Sequence, residues 1–251
     1  MKKNVLLLTI IAILSFSAFG QNKTFNELTF GLTALKPQVL PLEPIPFELT
    51  LTNNTDEAVT VETTLSFSGG SVSLEIKSPN GKNVAPSQAS YLNGRVLIFP
   101  KVLSSGEKME STQVFGFRIQ DYFGGVGDYR VRATLNNKDG KKVRSDWVNL
   151  TITEPVGMEK GAYEYLSKKL KKHPNNYMPY VTWMPDELEE FVLKHPGTTY
   201  ANYARYSLGE YYYEQDKEKA EEQFRQIQDS NFIYAQEVSE KLKKLESQKK
   251  N

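Results

Sequence analysis

The sequence predicts a two-part protein, an all-β sandwich over residues 21–153 followed by an all-α segment over residues 154–251. Three observations carry this reading. From about Thr24 to Thr153 apolar and polar residues alternate in short runs, the two-residue period of half-buried strands. After Glu154-Pro155-Val156-Gly157 the apolar residues recur at three- and four-residue steps, the period of helices with one buried face. Charge density rises at the same boundary: 14 Lys+Arg and 13 Asp+Glu precede it, and 15 and 17 crowd the shorter stretch beyond it.

Residues 1–20 precede both parts and have the three regions of a secretory signal peptide. Lys2 and Lys3 form the basic start, Val5 to Phe16 the apolar run, and Ala18-Phe19-Gly20 the small-residue cleavage pattern. Cleavage after Gly20 is expected. The alternative, an uncleaved anchor, needs about 20 predominantly apolar residues, more than the run supplies before Ser15 and Ser17. No cysteine follows, so a lipid-modified N-terminus has no acceptor thiol. The mature protein is expected to be periplasmic or secreted, with no stable membrane span.

The strands read in order as Leu28 to Thr33, Pro44 to Thr52, Val59 to Leu65, Val72 to Ile76, Val96 to Phe99, Gln113 to Ile119, Tyr129 to Leu135 and Val143 to Thr153. In the second, Ile45, Phe47, Leu49 and Leu51 share one face. Asn80-Gly81 and Asp139-Gly140 are placed to turn hairpins through positive φ angles. Strands at this spacing with no helix between them imply sheets packed face to face. Gly127-Asp128-Tyr129-Arg130-Val131-Arg132-Ala133 resembles the penultimate strand of immunoglobulin-like domains. That resemblance implies a tyrosine corner at Tyr129. Trp147 reads as a core or edge-face aromatic, with ligand stacking as the lesser alternative.

The helices read as Glu159 to Lys171, Pro185 to Lys194, Thr199 to Tyr213, Lys217 to Gln228 and Phe232 to Lys249. Pro185-Asp186-Glu187-Leu188 puts proline and acids into a first turn, which suits its φ and the helix dipole. Leu208-Gly209-Glu210-Tyr211-Tyr212, with Ala220 and Phe224, resembles the tetratricopeptide repeat (TPR). The resemblance implies a helical hairpin in which Gly209 and Ala220 allow close approach while Leu208, Tyr212 and Phe224 fill the gap. The turn Glu214 to Lys217 is one residue shorter than the family pattern and has no glycine. Stacks of this kind need about three repeats to stand alone, so the helices are expected to pack on the sandwich as well.

Chemistry is sparse. The charges, 31 Lys+Arg against 30 Asp+Glu, leave no field toward nucleic acid. Zero cysteine removes thiolate metal sites and cysteine nucleophiles. The two imidazoles, His173 and His195, each precede a proline at a helix end, where capping is expected rather than metal ligation. Ser105-Gly106-Glu107-Lys108 matches a Ser-x-x-Lys pattern but reads as a turn between strands. The expectation is therefore no catalytic, cofactor or metal residues and no enzyme activity.

Tyrosine is the one enriched type. Tyr200, Tyr203 and Tyr206 lie at three-residue steps and read as a core-facing stripe, whereas Tyr211, Tyr212 and Tyr213 are consecutive and cannot all share one helix face. Tyr180, Trp183, Tyr211 and Tyr213 form the candidate interaction surface. The expected function is a non-enzymatic interaction or assembly module of the bacterial envelope, with another envelope or extracellular protein, a peptide or a glycan as partner. The alternatives are a carbohydrate-active hydrolase using Asp186 and Glu187 in an interdomain cleft, or a protease inhibitor using the loops Pro86 to Gly94 or Ser104 to Glu107.

Overall fold

The computed structural model of the protein describes residues 24–67, 71–84, 100–115, 123, 125–172, 184–227, 229 and 231–249. The predicted signal peptide, the Val96 to Phe99 run, the Pro86 to Gly94 loop and His173 lie outside them, as do Tyr177, Tyr180 and Trp183. Strands come first: β1 (Thr29–Ala34), β2 (Gln38–Val39), β3 (Ile45–Thr52), β4 (Val59–Val61), β5 (Val72–Lys77), β6 (Asn83–Val84), β7 (Lys101–Leu103), β8 (Lys108–Phe115), β9 (Gly127–Asn136), β10 (Lys142–Arg144) and β11 (Val148–Ile152). Helices follow: α1 (Met158–Lys172), α2 (Pro185–Lys194), α3 (Thr199–Tyr212), α4 (Lys217–Arg225) and α5 (Ala235–Lys249).

The strands form one sheet in the order β1-β3-β8 and a second in the order β2-β11-β9-β5-β6, with β10 beside β9; β4 and β7 pair separately. Alternation decides which residues face inward. Phe30, Leu32, Phe47, Leu49 and Leu51 of the first sheet join Val72, Leu74, Ile76, Val131, Ala133, Leu135 and Leu150 of the second in one buried cluster. The two sheets therefore pack as a sandwich. A ring ladder of Phe47, Phe67, Phe115, Phe123 and Tyr129 runs through it, each neighbouring pair edge-on at 4.9 to 6.5 Å.

The two Gly-containing hairpin turns are built alike. The Gly81 N–H bonds to the Ser78 carbonyl at 2.8 Å, and the Gly140 N–H to the Asn137 carbonyl at 3.0 Å. In each, the residue before glycine accepts from the backbone two residues on: Asn80 Oδ1 from the Lys82 N–H and Asp139 Oδ1 from the Lys141 N–H. Only the glycines take positive φ, +78° and +84°. These are type I turns closed by a left-handed glycine rather than turns with two positive φ angles.

The strand expected over Val143 to Thr153 is interrupted. At Ser145 the side chain replaces the ladder, its Oγ accepting from the Ala133 N–H at 2.9 Å while its own N–H donates to the Ala133 carbonyl at 2.9 Å. The chain bulges over Ser145–Trp147 and resumes as β11, swinging Trp147 onto the outer face. β8 begins at Lys108 rather than Gln113, because its polar residues lie at the sandwich edge, where alternation is weak.

The helices pack mainly through α3, and α3 against α4 is the tightest approach. A Cβ on Gly209 would stand 2.3 Å from Phe224 Cε1, so the ring occupies the space a side chain would need. Thr198 Oγ1 caps α3 by accepting from the Ala201 N–H, and an Asp216 carboxylate oxygen caps α4 by accepting from the Lys219 N–H, both at 3.1 Å. Only residues 153–157 connect β11 to α1. β2 runs parallel to β11, with Thr151 opposite Gln38 and Ile152 opposite Val39, so the chain leaving β2 lies beside the start of the helical part.

Candidate functional site

That arrangement puts residues 40–43 into the seam between the two parts. Leu42, at φ +66°, is a non-glycine residue in the left-handed region, and its side chain belongs to the buried cluster of the helices. Glu43 follows at 1% exposure. It accepts from Lys36 Nζ at 2.5 Å, from the Leu40 N–H at 2.9 Å and from Tyr203 OH at 3.2 Å. Tyr200 OH donates to the Pro41 carbonyl at 2.7 Å. Burial pushes both phenols far above their usual range, with the neighbouring Glu159 and Glu43 charges adding at Tyr200 and Glu43 adding at Tyr203. They are neutral donors at every ordinary pH.

The tyrosine stripe thus faces the core as expected, and its polar tips bind the sandwich. Tyr206, the third member, is half-buried and stacks on Tyr234 at 4.3 Å. The Leu42–Glu43 contribution was not singled out from sequence. Its signal is one carboxylate inside the apolar run Val39-Leu40-Pro41-Leu42-Glu43-Pro44-Ile45.

At the other end of α3 the consecutive tyrosines separate. Tyr211 is 46% exposed, with its ring edge-on to Tyr212 at 5.1 Å. Tyr212 turns back to α2, where its OH donates to Glu189 Oε1 at 2.8 Å. That bond, reinforced by partial burial and the nearby Asp186 charge, lifts its pKa to about 12. Tyr213 is half-buried, edge-on to Phe224, with Lys241 Nζ 4.8 Å from its ring centre. Of the predicted surface, Tyr211 is therefore the open residue and Tyr213 a covered one. On α2, Leu193 stands one turn beyond Glu189 at 80% exposure, and Met184 at the helix start is 68% exposed. Neither was marked from sequence, because an apolar residue on a short helix reads as core.

Other candidate chemistry falls apart in space. Asp186 lies toward Tyr212 of α3, whereas Glu187 pairs with Lys169 Nζ of α1 at 3.1 Å. The two acids engage different neighbours and do not face each other across a groove. The Ser104 to Glu107 loop is a tight turn pinned to Asn53, whose carbonyl accepts from the Gly106 N–H at 2.7 Å. The His195 ring does not cap; it packs between Tyr165 and Phe191, with centroids at 5.3 and 5.1 Å. Trp147 is half-buried on the outer sheet face, ringed by Arg132, Lys77 and Arg130 at 4.6, 4.9 and 5.3 Å. Among the described residues no group of three His, Cys, Asp or Glu could hold a metal, and no helix is long and apolar enough to cross a membrane.

No protein-family model matches the chain, and no curated protein matches it. Among solved structures it is similar to the sporulation control protein Spo0M from Bacillus subtilis, at 9% identity and TM-score 0.34, covering 57% of this chain and 56% of that one. It is similar to the CARDB domain of a Pyrococcus furiosus protein in complex with di-metal ions, at 13% identity and TM-score 0.26, covering 53% and 94%. It is similar also to a β-glucosidase from Listeria innocua in complex with glucose, at 14% identity and TM-score 0.29, covering 52% and 16%. The chain spans just over half the length of Spo0M and about a sixth of the β-glucosidase. Likenesses of this size carry nothing about activity.

Proposed function

We propose that this protein is a non-enzymatic interaction module working outside the cytoplasm, in which an immunoglobulin-like sandwich carries a TPR-like helical unit and presents it to a protein partner. The observation that carries the reading is the open patch of Tyr211, Leu193 and Met184 beside the Asp186 and Glu189 carboxylates. Exposed aromatic and apolar side chains next to fixed polar groups are what protein contacts use. The immunoglobulin-like part of the reading is supported by the Tyr129 hydroxyl, which donates to the Gly125 carbonyl at 2.8 Å as a tyrosine corner does. The TPR-like part is supported by the seating of Phe224 against Gly209. The compartment rests on the signal-like residues 1–20.

The test is a photocrosslinking amino acid placed at Tyr211 in the full chain within the producing cell, followed by fractionation. The expected result is a discrete adduct in the extracytoplasmic fraction, lost with Leu193→Asp and absent when the crosslinker replaces Trp147. Adducts equal at both positions, or a protein retained in the cytoplasm, would overturn the reading.

A further inference from the structure

On α3 the buried row Ala201, Ala204, Arg205, Leu208 follows the three- and four-residue steps of an apolar face, and one member is an arginine. Arg205 is 7% exposed. Burial lowers its pKa, as expected for a guanidinium withdrawn from water. Among the described residues it makes one hydrogen bond, from Nε to Gln226 Oε1 at 3.1 Å, and has no carboxylate within ion-pair distance. A buried cation is ordinarily paired, because leaving its charge uncompensated is costly.

Arg205 lines a cavity of about 380 Å³ with Gly197, Asn202, Gln226 and Asp229. The wall contains no apolar side chain. It does contain the opposite charge, since Asp229 holds the Asn231 N–H on Oδ1 at 2.8 Å and forms no ion pair with Arg205. A cation and an anion thus share one small polar cavity without touching, with the Asn202 and Gln226 amides between helix and loop. The group that completes this arrangement carries the reverse polarity in a short span.

We propose that this cavity binds a small zwitterion of the α-amino-acid class, its carboxylate forked on the Arg205 guanidinium and its ammonium on Asp229. Arginine suits a carboxylate because its planar fork offers parallel N–H donors. The polar wall selects a small polar side chain. Nothing in this depends on the partner surface at Tyr211, and loss of partner crosslinking leaves the titration below unchanged.

The experiment is isothermal titration calorimetry of the full chain with L-serine, L-asparagine and L-glutamine, and with N-acetyl and amide forms of whichever binds. Saturable binding by a free amino acid is expected, weakened about tenfold or more when either end is blocked. Arg205→Gln should abolish binding, and Asp229→Asn should remove the penalty for acetylation. Asp229 is partly exposed, so its variant keeps the test valid if Arg205→Gln fails to fold. Three results overturn the proposal: no saturable heat up to about 10 mM, a concentration well above useful affinity; an acetylated form binding as tightly as the free one, the signature of a site for a peptide chain end; or binding unchanged by Asp229→Asn.

Discussion

The two parts of the chain solve the same packing problem with different means, and the contrast shows where specificity is stored. In the sandwich, aliphatic residues at every second position meet across two sheets, and polar groups are satisfied mainly by the strand ladders. In the helical part the interior is aromatic, and three of its rings carry hydroxyls that must find partners. Tyr200 and Tyr203 find theirs on the Pro41–Glu43 loop of the other part. The helical core is therefore completed by the sandwich through Leu42, and not the reverse.

The largest expected effect follows from comparing two acids. Glu43→Ala leaves the Tyr203 hydroxyl unpaired in the interior and should cost about 3 kcal/mol in urea unfolding. Glu75→Ala breaks its pair with Arg132, 2.6 Å apart on the solvated sheet face, and should cost less than about 1 kcal/mol. Equal losses would mean that the seam is no more than a surface contact.

Two glycines make the next comparison. An alanine Cβ at Gly209 would meet the buried Phe224 ring, which cannot leave, so Gly209→Ala should cost about 1–3 kcal/mol and recover in part with Phe224→Leu. At Gly31 the Cβ would meet Thr50 Oγ1, also at 2.3 Å, but that hydroxyl can rotate away. Gly31→Ala in strand β1 should change stability by less than about 1 kcal/mol, with reduced chain entropy favouring the alanine. Thermal unfolding of the two variants side by side reads the difference.

Legibility in the sequence followed segment length. The long runs of β3, β5 and β9 carry several alternations each and were plain, whereas β2, β6 and β7, with two or three residues, carry none. The tyrosine stripe was readable because Tyr200 and Tyr203 keep a helical step. Its partners were not, since Glu43 lies far away in sequence and only the parallel pairing of β2 with β11 brings it there. The same holds for the open patch. Leu193 and Met184 look like core residues until the absence of a covering element leaves them outside. Arg205 had the clearest unused signal, a charge at an apolar-face position of a helix.

A pair of tyrosines tests whether the seam matches the sandwich's own fastening. Tyr129→Phe and Tyr200→Phe each remove one hydroxyl donating to a backbone carbonyl, at 2.8 and 2.7 Å, and should each cost about 1 kcal/mol. Trp147 in the sandwich and Trp183 in the helical part allow each half to be followed by fluorescence after replacing the other with Phe. The seam predicts that Tyr200→Phe shifts both signals together. A shift confined to Trp183 would show that the halves unfold independently.

The smallest effect comes from acidity, which between pH 7 and 5 acts on one part alone through histidine. Both histidines lie in residues 154–251, and the sandwich has none. Burial against Tyr165 and Phe191, and then the neighbouring Lys194 charge, hold His195 below its ordinary pKa of 6.5. The unfolded chain therefore binds the proton first as pH falls below about 6.5, and stability declines from there through the lower folded value. The sandwich carboxylates move in a separate window. Glu107, held down first by the Ser104 N–H, and Asp139, held down first by the Lys141 N–H, stabilise the fold above their ordinary values of 4.5 and 3.8, and that contribution is lost only at more acid pH. The drop in Tm from pH 7 to 5 should accordingly shrink in His195→Gln, because the substitution removes the proton uptake while Glu107 and Asp139 stay ionised in both proteins. An unchanged drop would mean that the ring is already open to water and that its packing between Tyr165 and Phe191 contributes nothing to the fold.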